Sequence, residues 1–307
     1  MNNIGNIKQI YKNIGNIALT WFALIRLPNL FTIPGDILVG YLIAMPLGEN
    51  PNAYIIFTIM VISLALYIFG ILLNDFFDVN IDRIERPNRP LVSGKIKRNT
   101  ALIVAICIGM FALIIAAFVG KNTLALVSLL ALLVFFYNFL AKHIPGIGFI
   151  ILGLCRGMNI FLGASVFIPN VPSRIWSMTI VEVCYITAIS LAAYHEADRA
   201  PQGIVRWLPP IILIIGFTVM LVQNGIHWIA MAGIMVAISS VFMGSFSMRI
   251  NLQSSFMQEA IGNFIRSLIP IQVAFILLCL PESLVFIVML YVLWPLSKIT
   301  GRKFAGS

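Results

Sequence analysis

Asn74, Asp78 and Asp82 recur every four residues in the stretch Asn74-Asp75-Phe76-Phe77-Asp78-Val79-Asn80-Ile81-Asp82. A helix through them carries all three on one face, with Asp75 one turn before Asp78. Amide and carboxylate oxygens at that spacing suit a hard divalent cation. Mg²⁺ keeps several waters and is commonly shared between one or two carboxylates and a substrate's phosphates. The chain continues Arg83-Ile84-Glu85-Arg86-Pro87-Asn88-Arg89-Pro90-Leu91-Val92-Ser93-Gly94-Lys95, which sets Arg86, Arg89 and Lys95 close behind the acids. Arginine presents a planar fork to phosphate oxygens, so the pattern reads as a place where metal and cations jointly neutralise a diphosphate. An ordinary positive loop capped by acids would account for the arginines. It would not account for an acid repeat inside an apolar segment, where ionisable groups are costly and mark function.

The elements that must hold these residues are membrane spans. The 307 residues are 60% hydrophobic and 10% charged, with a mean hydropathy of +1.00, more apolar surface than a soluble domain of this length can hide. Apolar runs of about 20 residues fall near 20–45, 53–77, 100–119, 123–141, 147–168, 176–196, 207–222, 226–247, 263–280 and 282–298. The expectation is an all-α polytopic transmembrane helix bundle of about nine or ten spans, one domain over 1–307 behind a short polar tail, 1–19. The break at Leu280-Pro281-Glu282 leaves either flank open to being a half-span or an interfacial helix. The tail lacks the pattern of a removable signal peptide.

Basic residues orient the bundle. With the amino terminus inside, only Lys121 and Arg174 of the 20 Lys and Arg fall outside, and only Arg26 and Arg156 fall within spans. The two longest polar connections, 78–99 and 197–206, lie on the cytoplasmic side, so the chemistry is expected to open there. The net charge of +9 does not point to nucleic acid, because the cations form no stripe with interleaved aromatics. Cys107, Cys155, Cys184 and Cys279 lie in apolar runs without CxxC spacing and read as packing thiols.

Other residues carry chemistry more weakly. Arg26 and Asp36 in span one could each line an acceptor pocket, but about 15 Å of helix separates them, so they are not expected to pair. Arg156, placed near the cytoplasmic end of span five, is either a ligand for an acceptor carboxylate or phosphate, or a snorkelling side chain. Glu182 reads as an outer-interface residue. Gly146, Gly148, Gly153, Gly157 and Gly163 read as close helix packing.

Asn-Asp-x-x-Asp-x-x-x-Asp followed by Arg-x-x-x-Arg-Pro-x-Arg-Pro-Leu-x-Ser-Gly, over Asn74 to Gly94, resembles the first aspartate-rich motif and following loop of the UbiA-type intramembrane prenyltransferases. Arg26-Leu27-Pro28-Asn29-Leu30 is similar to that family's start, and Gly153-Leu154-Cys155-Arg156-Gly157 to its fifth span. Tyr137-Asn138-Phe139-Leu140-Ala141-Lys142 resembles its Tyr-Ser-x-x-x-Lys element, with Asn138 in place of serine. The resemblance implies that a polyprenyl diphosphate binds through Mg²⁺, ionises and passes its prenyl group to a small acceptor in the membrane. Asn74, Asp78 and Asp82 would hold metal and diphosphate, Arg86, Arg89 and Lys142 would supply cations, and Tyr137, Arg26 and Arg156 would line the substrate site. No protein partner is implied.

One departure stands out. The family's second acidic motif, Asp-x-x-x-Asp at the end of span six, is here Tyr194-His195-Glu196-Ala197-Asp198-Arg199. Glu196 and Asp198 diverge by about 200° on a helix, so no clean two-acid face forms. Glu196 is expected to contact metal, with Asp198 and His195 as further substrate contacts. An intramembrane terpene cyclase, ionising the same diphosphate without an acceptor, is the nearest alternative. A transporter or lipid-binding protein is the alternative of another class, and would place its charges at the midplane on discontinuous helices.

Overall fold

The computed structural model describes residue 15 and residues 17–197, 203–250 and 254–303, apart from the side chains of 195–197, 249, 250, 254–258, 302 and 303. The bundle is all helical, with 10 helices long and apolar enough to cross a membrane among the described residues. Spans one to ten are Leu27–Ala44, Ala53–Glu85, Arg98–Val119, Lys121–Phe139, Ile147–Phe167, Ser173–Tyr194, Val205–Asn224, Trp228–Met248, Glu259–Cys279 and Leu284–Gly301. Both segments flanking the Leu280 break are therefore long enough to span. Span nine is the most enclosed of the ten, with Leu268 to Leu278 buried throughout, and span ten is the least.

Glycines set how closely the central spans approach. A Cβ at Gly40 or Gly163 would strike backbone of span five or span one respectively, and one at Gly153 or Gly157 would strike span six. Span one therefore lies against span five, which lies against span six; span two lies against three and four, and span nine against one and eight. Gly148 meets Ala141 backbone in the same way. Gly146 departs from the expectation: nothing lies within 4 Å of its would-be Cβ, and its φ of +85° opens span five. Its role is the turn, where a left-handed backbone favours glycine.

Two irregularities position the site. Span two begins where Asn52 Oδ1 accepts from the backbone N–H of Tyr54 and Ile55, an ordinary N-cap. It then runs 33 residues to Glu85, about 50 Å against a hydrocarbon core of about 30 Å. The expected end is near residue 77; no glycine or proline follows between there and Pro87, which disfavours helix at Arg86. Counted from Ala53, about 20 residues match that core, so Asn74 to Asp82 ride on the helical overhang that follows. Span one, in contrast, is broken. Helix 17–24 gives way to a turn at Arg26, whose φ of 51° is the sole positive non-glycine value among the described residues. Helix resumes at Leu27–Leu30 and again at Ile33–Ala44.

Candidate functional site

The loop after span two folds back onto the overhang. Leu91 and Ile96 bury themselves with Leu72, Leu73, Val79, Ala101 and Ala105 in a small apolar cluster. That cluster drives Arg89, 4% exposed, between two carboxylates: its Nη1 donates to Asp82 Oδ2 at 2.6 Å and to Asp75 Oδ1 at 3.3 Å. Arg26 Nη2 reaches the same Asp75 oxygen at 3.2 Å, which ties the strained turn of span one to span two. Strain of this kind persists where surrounding structure holds it and gathers at functional sites.

At 100° per residue, Asn74, Asp78, Asp82 and Asp75 fall within about 100° of arc, and their surroundings divide that arc. Asn74 lines a cavity of about 290 Å³. Asp78 faces Lys142, whose Nζ lies 2.6 Å from its Oδ1. Asp82 and Asp75 share Arg89. Lys142 is carried on the single turn Ala141–His143 after span four, beside the ring contacts of Phe77 with Phe135 and Phe139. Arg86 is exposed just past the helix end. Partial desolvation, then the like charges of Arg89 and Arg26, lower its proton affinity from the ordinary guanidinium value, against the opposing pull of Asp82 and Glu85.

The oxygens available fit a magnesium ion carried in with a diphosphate. The amide of Asn74 and the carboxylates of Asp78 and Asp82 are hard donors on one arc, and Asp78 keeps 18% of its side chain exposed. Among the described residues no three His, Cys, Asp or Glu converge into a protein cage. Magnesium rarely uses such a cage and completes its shell with water and phosphate.

Arg26, Asn74, Tyr137 and Arg156 all line the cavity, so the motif meets its wall at Asn74. The rest is mostly apolar, including Leu66, Ile71, Val134 and Ile186, with a few polar groups between them. Ser63 Oγ donates to Asn159 Oδ1 at 2.8 Å. Asn138, 2% exposed, donates through Nδ2 to Val134 O and Gly70 O, and its Oδ1 is buried without a partner.

Behind this wall stands a charged cluster that the sequence did not assemble. Arg156 lies in the middle of helix Ile147–Ala164, not near its start, and is not snorkelling. Its Nε is 3.0 Å from Asp36 Oδ2 and 3.1 Å from Glu182 Oε1, and its Nη2 donates to Thr32 O at 2.6 Å. Gln272 Nε2 donates to Thr32 O and to Asp36 Oδ1. Glu182 is 1% exposed, which overturns its reading as an interface residue. A signal existed: Asp36, Arg156 and Glu182 are ionisable residues inside apolar runs, and such groups pair with one another. Linear spacing gave no means of choosing the pairs. As expected, Arg26 and Asp36 do not pair; each finds its partner on another span.

His195 and Glu196 fall in the last turn of helix Ser173–Ala197, with side chains outside the described set, and Asp198 lies outside the described residues altogether. Asp75, noted in the sequence only as a neighbour of Asp78, emerges as the residue that joins spans one and two to the loop.

Residues 36–254 match the model of the UbiA prenyltransferase family. A digeranylgeranylglyceryl phosphate synthase of Sulfurisphaera tokodaii is 28% identical over 147 residues, 48% of this chain and 52% of that protein. The chain spans about half the length of the curated relatives it matches. Among solved structures, the apo form of a UbiA homolog from Aeropyrum pernix superposes with a TM-score of 0.65 at 17% identity, over 81% of this chain and 97% of that one. A UbiA homolog from Archaeoglobus fulgidus bound to DMAPP and Mg²⁺ gives 0.53 at 14% identity, over 93% and 98%. These likenesses establish the fold.

Proposed function

The chain belongs to the UbiA prenyltransferase family, and from that premise we propose that it transfers a prenyl group from a prenyl diphosphate to a small acceptor within the membrane, with Mg²⁺. The observation that carries the proposal is the pairing of two acids with two cations on the helix that brings Asn74 to the cavity: Asp78 with Lys142 and Asp82 with Arg89, each at 2.6 Å. Mg²⁺, held by Asn74, Asp78 and Asp82 with Glu196 completing the set, would supply Lewis-acid neutralisation of diphosphate oxygens.

The remaining work belongs to side chains. Lys142, Arg89 and Arg86 stand where a diphosphate on that face gathers negative charge as it leaves, and fixed cations in a water-poor site stabilise such charge strongly. In the absence of diphosphate the acids neutralise these cations, so the site avoids holding unpaired charge. The apolar wall excludes water from the allylic carbon. No side chain need become a covalent nucleophile, since orientation of the acceptor against that carbon supplies much of the rate. Glu196 or His195 is placed in sequence to accept a proton where an acceptor must lose one, with Asp198 two positions after Glu196 in the sequence. The Lys and Arg bias supports a rim that faces the cytoplasm.

The test is product identification. Purified protein, Mg²⁺, prenyl diphosphates of several lengths and a membrane-free metabolite extract are incubated together, and new species are sought by mass. A prenylated acceptor supports the proposal. Cyclised hydrocarbon from diphosphate alone assigns a cyclase, and ligand flux without diphosphate release assigns a transporter.

A further inference from the structure

Resting on the prenyl-transfer reading, we infer that Asp75 is a positioning residue: it touches neither metal nor diphosphate, and it sets Arg26, Arg89 and Asn74 where those ligands meet them. One oxygen does this. Asp75 Oδ1 accepts from Arg26 Nη2 at 3.2 Å, from Arg89 Nη1 at 3.3 Å and from Asn74 Nδ2 at 3.4 Å. The three donors come from the turn of span one, the loop after span two and the preceding residue. Arg26 and Asn74 line the cavity. Asp75 does not, and only 4% of it is exposed.

Each contact fixes something that the bound ligands need. Two guanidinium groups repel one another, and a shared carboxylate oxygen offsets that repulsion while it holds both at one corner of the rim. A diphosphate then meets donors already in place, which lowers the cost of ordering them. For Arg26 the tie reaches the backbone. Its φ of 51° and ψ of 55° are left-handed, a conformation that persists in a non-glycine residue only where the surroundings hold it. Its side chain caps no helix and pairs with Asp75. For Asn74 the tie selects an atom. A carboxylate accepts hydrogen bonds and does not donate them, so it draws the amide nitrogen and leaves Asn74 Oδ1, the atom a hard cation uses, on the other branch of the amide.

Charge alone makes the opposite prediction. Asp75 is negative beside an anion site, so by Coulomb's law its neutralisation should tighten diphosphate binding. Positioning requires that the same change weaken it. Removing a group that orients metal ligands typically costs about ten- to a hundredfold in affinity or activity.

The experiment reads binding without turnover, through thermal stabilisation of the full chain in detergent by Mg²⁺ and inorganic diphosphate, beside initial rates with geranylgeranyl diphosphate. Asp75→Asn is expected to raise the half-saturating concentrations of Mg²⁺ and diphosphate, and the KM for geranylgeranyl diphosphate, about tenfold, with kcat changing less. Asp75→Glu keeps the charge and shifts the oxygen by one methylene; it should fold and fall between the two. Combined with Arg26→Gln, Asp75→Asn should add less than it costs alone, because the two share one contact. Either Asp75 variant, folded and binding Mg²⁺ and diphosphate as tightly as the unsubstituted protein or more so, overturns the inference. So do losses that multiply in the double variant, or a fall in kcat at unchanged KM, which would put Asp75 against the reacting atoms. The expected binding pattern in a protein that releases no diphosphate from the prenyl substrate removes prenyl transfer and leaves the positioning role standing. No stabilisation of the unsubstituted protein by Mg²⁺ and diphosphate removes both.

Discussion

Lys142 Nζ lies 2.6 Å from Asp78 Oδ1, joining the turn after span four to the overhang of span two. Both side chains are largely buried, at 8% and 18% exposure, so each neutralises the other in the absence of ligand. Removing one partner should cost stability because the other is left unmatched, by up to about 3 kcal/mol once the residual exposure of Asp78 is allowed for. Asp78→Asn and Lys142→Met are each expected to lower the Tm in detergent. The double variant should recover most of that loss while diphosphate release stays abolished. Recovery of turnover along with stability would reduce the pair to a structural contact.

Arg89 is predicted to hold the loop as well as to meet diphosphate. Its guanidinium bridges Asp75 and Asp82 above the cluster formed by Leu91 and Ile96. Arg89→Ala leaves Asp82 without its cation and Asp75 with Arg26 alone, and should raise protease sensitivity between residues 86 and 97, together with an increase of at least about tenfold in the KM for prenyl diphosphate. Arg89→Lys should restore part of the protease resistance, since both contacts come from one nitrogen, Nη1, and less than half of the KM effect, since an ammonium offers a diphosphate no planar fork. Limited proteolysis and initial-rate kinetics read the two effects separately.

Much of the site was legible in the sequence, and the parts that were not share a cause. The four-residue acid repeat announced its own face because helical spacing is local, and the span boundaries followed from runs of apolar residues. Span two ran past its expected end because a polar overhang with no breaker remains helical after it leaves lipid; hydropathy marks the membrane and not the helix. Arg156, Asp36, Glu182 and Gln272 come from four spans, and nothing in linear spacing says which faces converge. Asp75 was visible but underrated, because its partners Arg26 and Arg89 lie on an element before it and a loop after it. Gly146 was grouped with packing glycines by composition, whereas its use is a left-handed turn.

The buried cluster gives a stability prediction independent of activity. Arg156→Leu leaves Asp36 and Glu182 inside the bundle with no counter-ion, and loss of one partner of a buried charged network costs about 3–5 kcal/mol. The expected outcome is little folded protein after detergent extraction. Asp36→Asn combined with Glu182→Gln and Arg156→Leu should recover folding, as replacing a whole buried ionic group is often neutral. Yield of monodisperse protein by size exclusion checks both.

Substitution at two glycines should separate turn from packing. Gly146→Ala places a Cβ on a backbone of φ +85° with open space around it and should cost about 1–2 kcal/mol. Gly163→Ala forces span five off the backbone of Ile37 and should cost more, with loss of activity, because Arg156 rides on the same helix. Thermal unfolding of the two variants beside the unsubstituted protein orders them.

The central claim is that Asp78 and Asp82 bring a prenyl diphosphate to this rim through Mg²⁺. The most direct measurement is diphosphate released from geranylgeranyl diphosphate as Mg²⁺ is titrated, for the unsubstituted protein and for Asp78→Ala and Asp82→Ala variants shown to be folded by thermal unfolding. The account predicts saturable, Mg²⁺-dependent release that falls at least about a hundredfold in both variants, the loss expected when a group that stabilises developing charge is removed. Release that proceeds without Mg²⁺, or that survives in either folded variant, contradicts it.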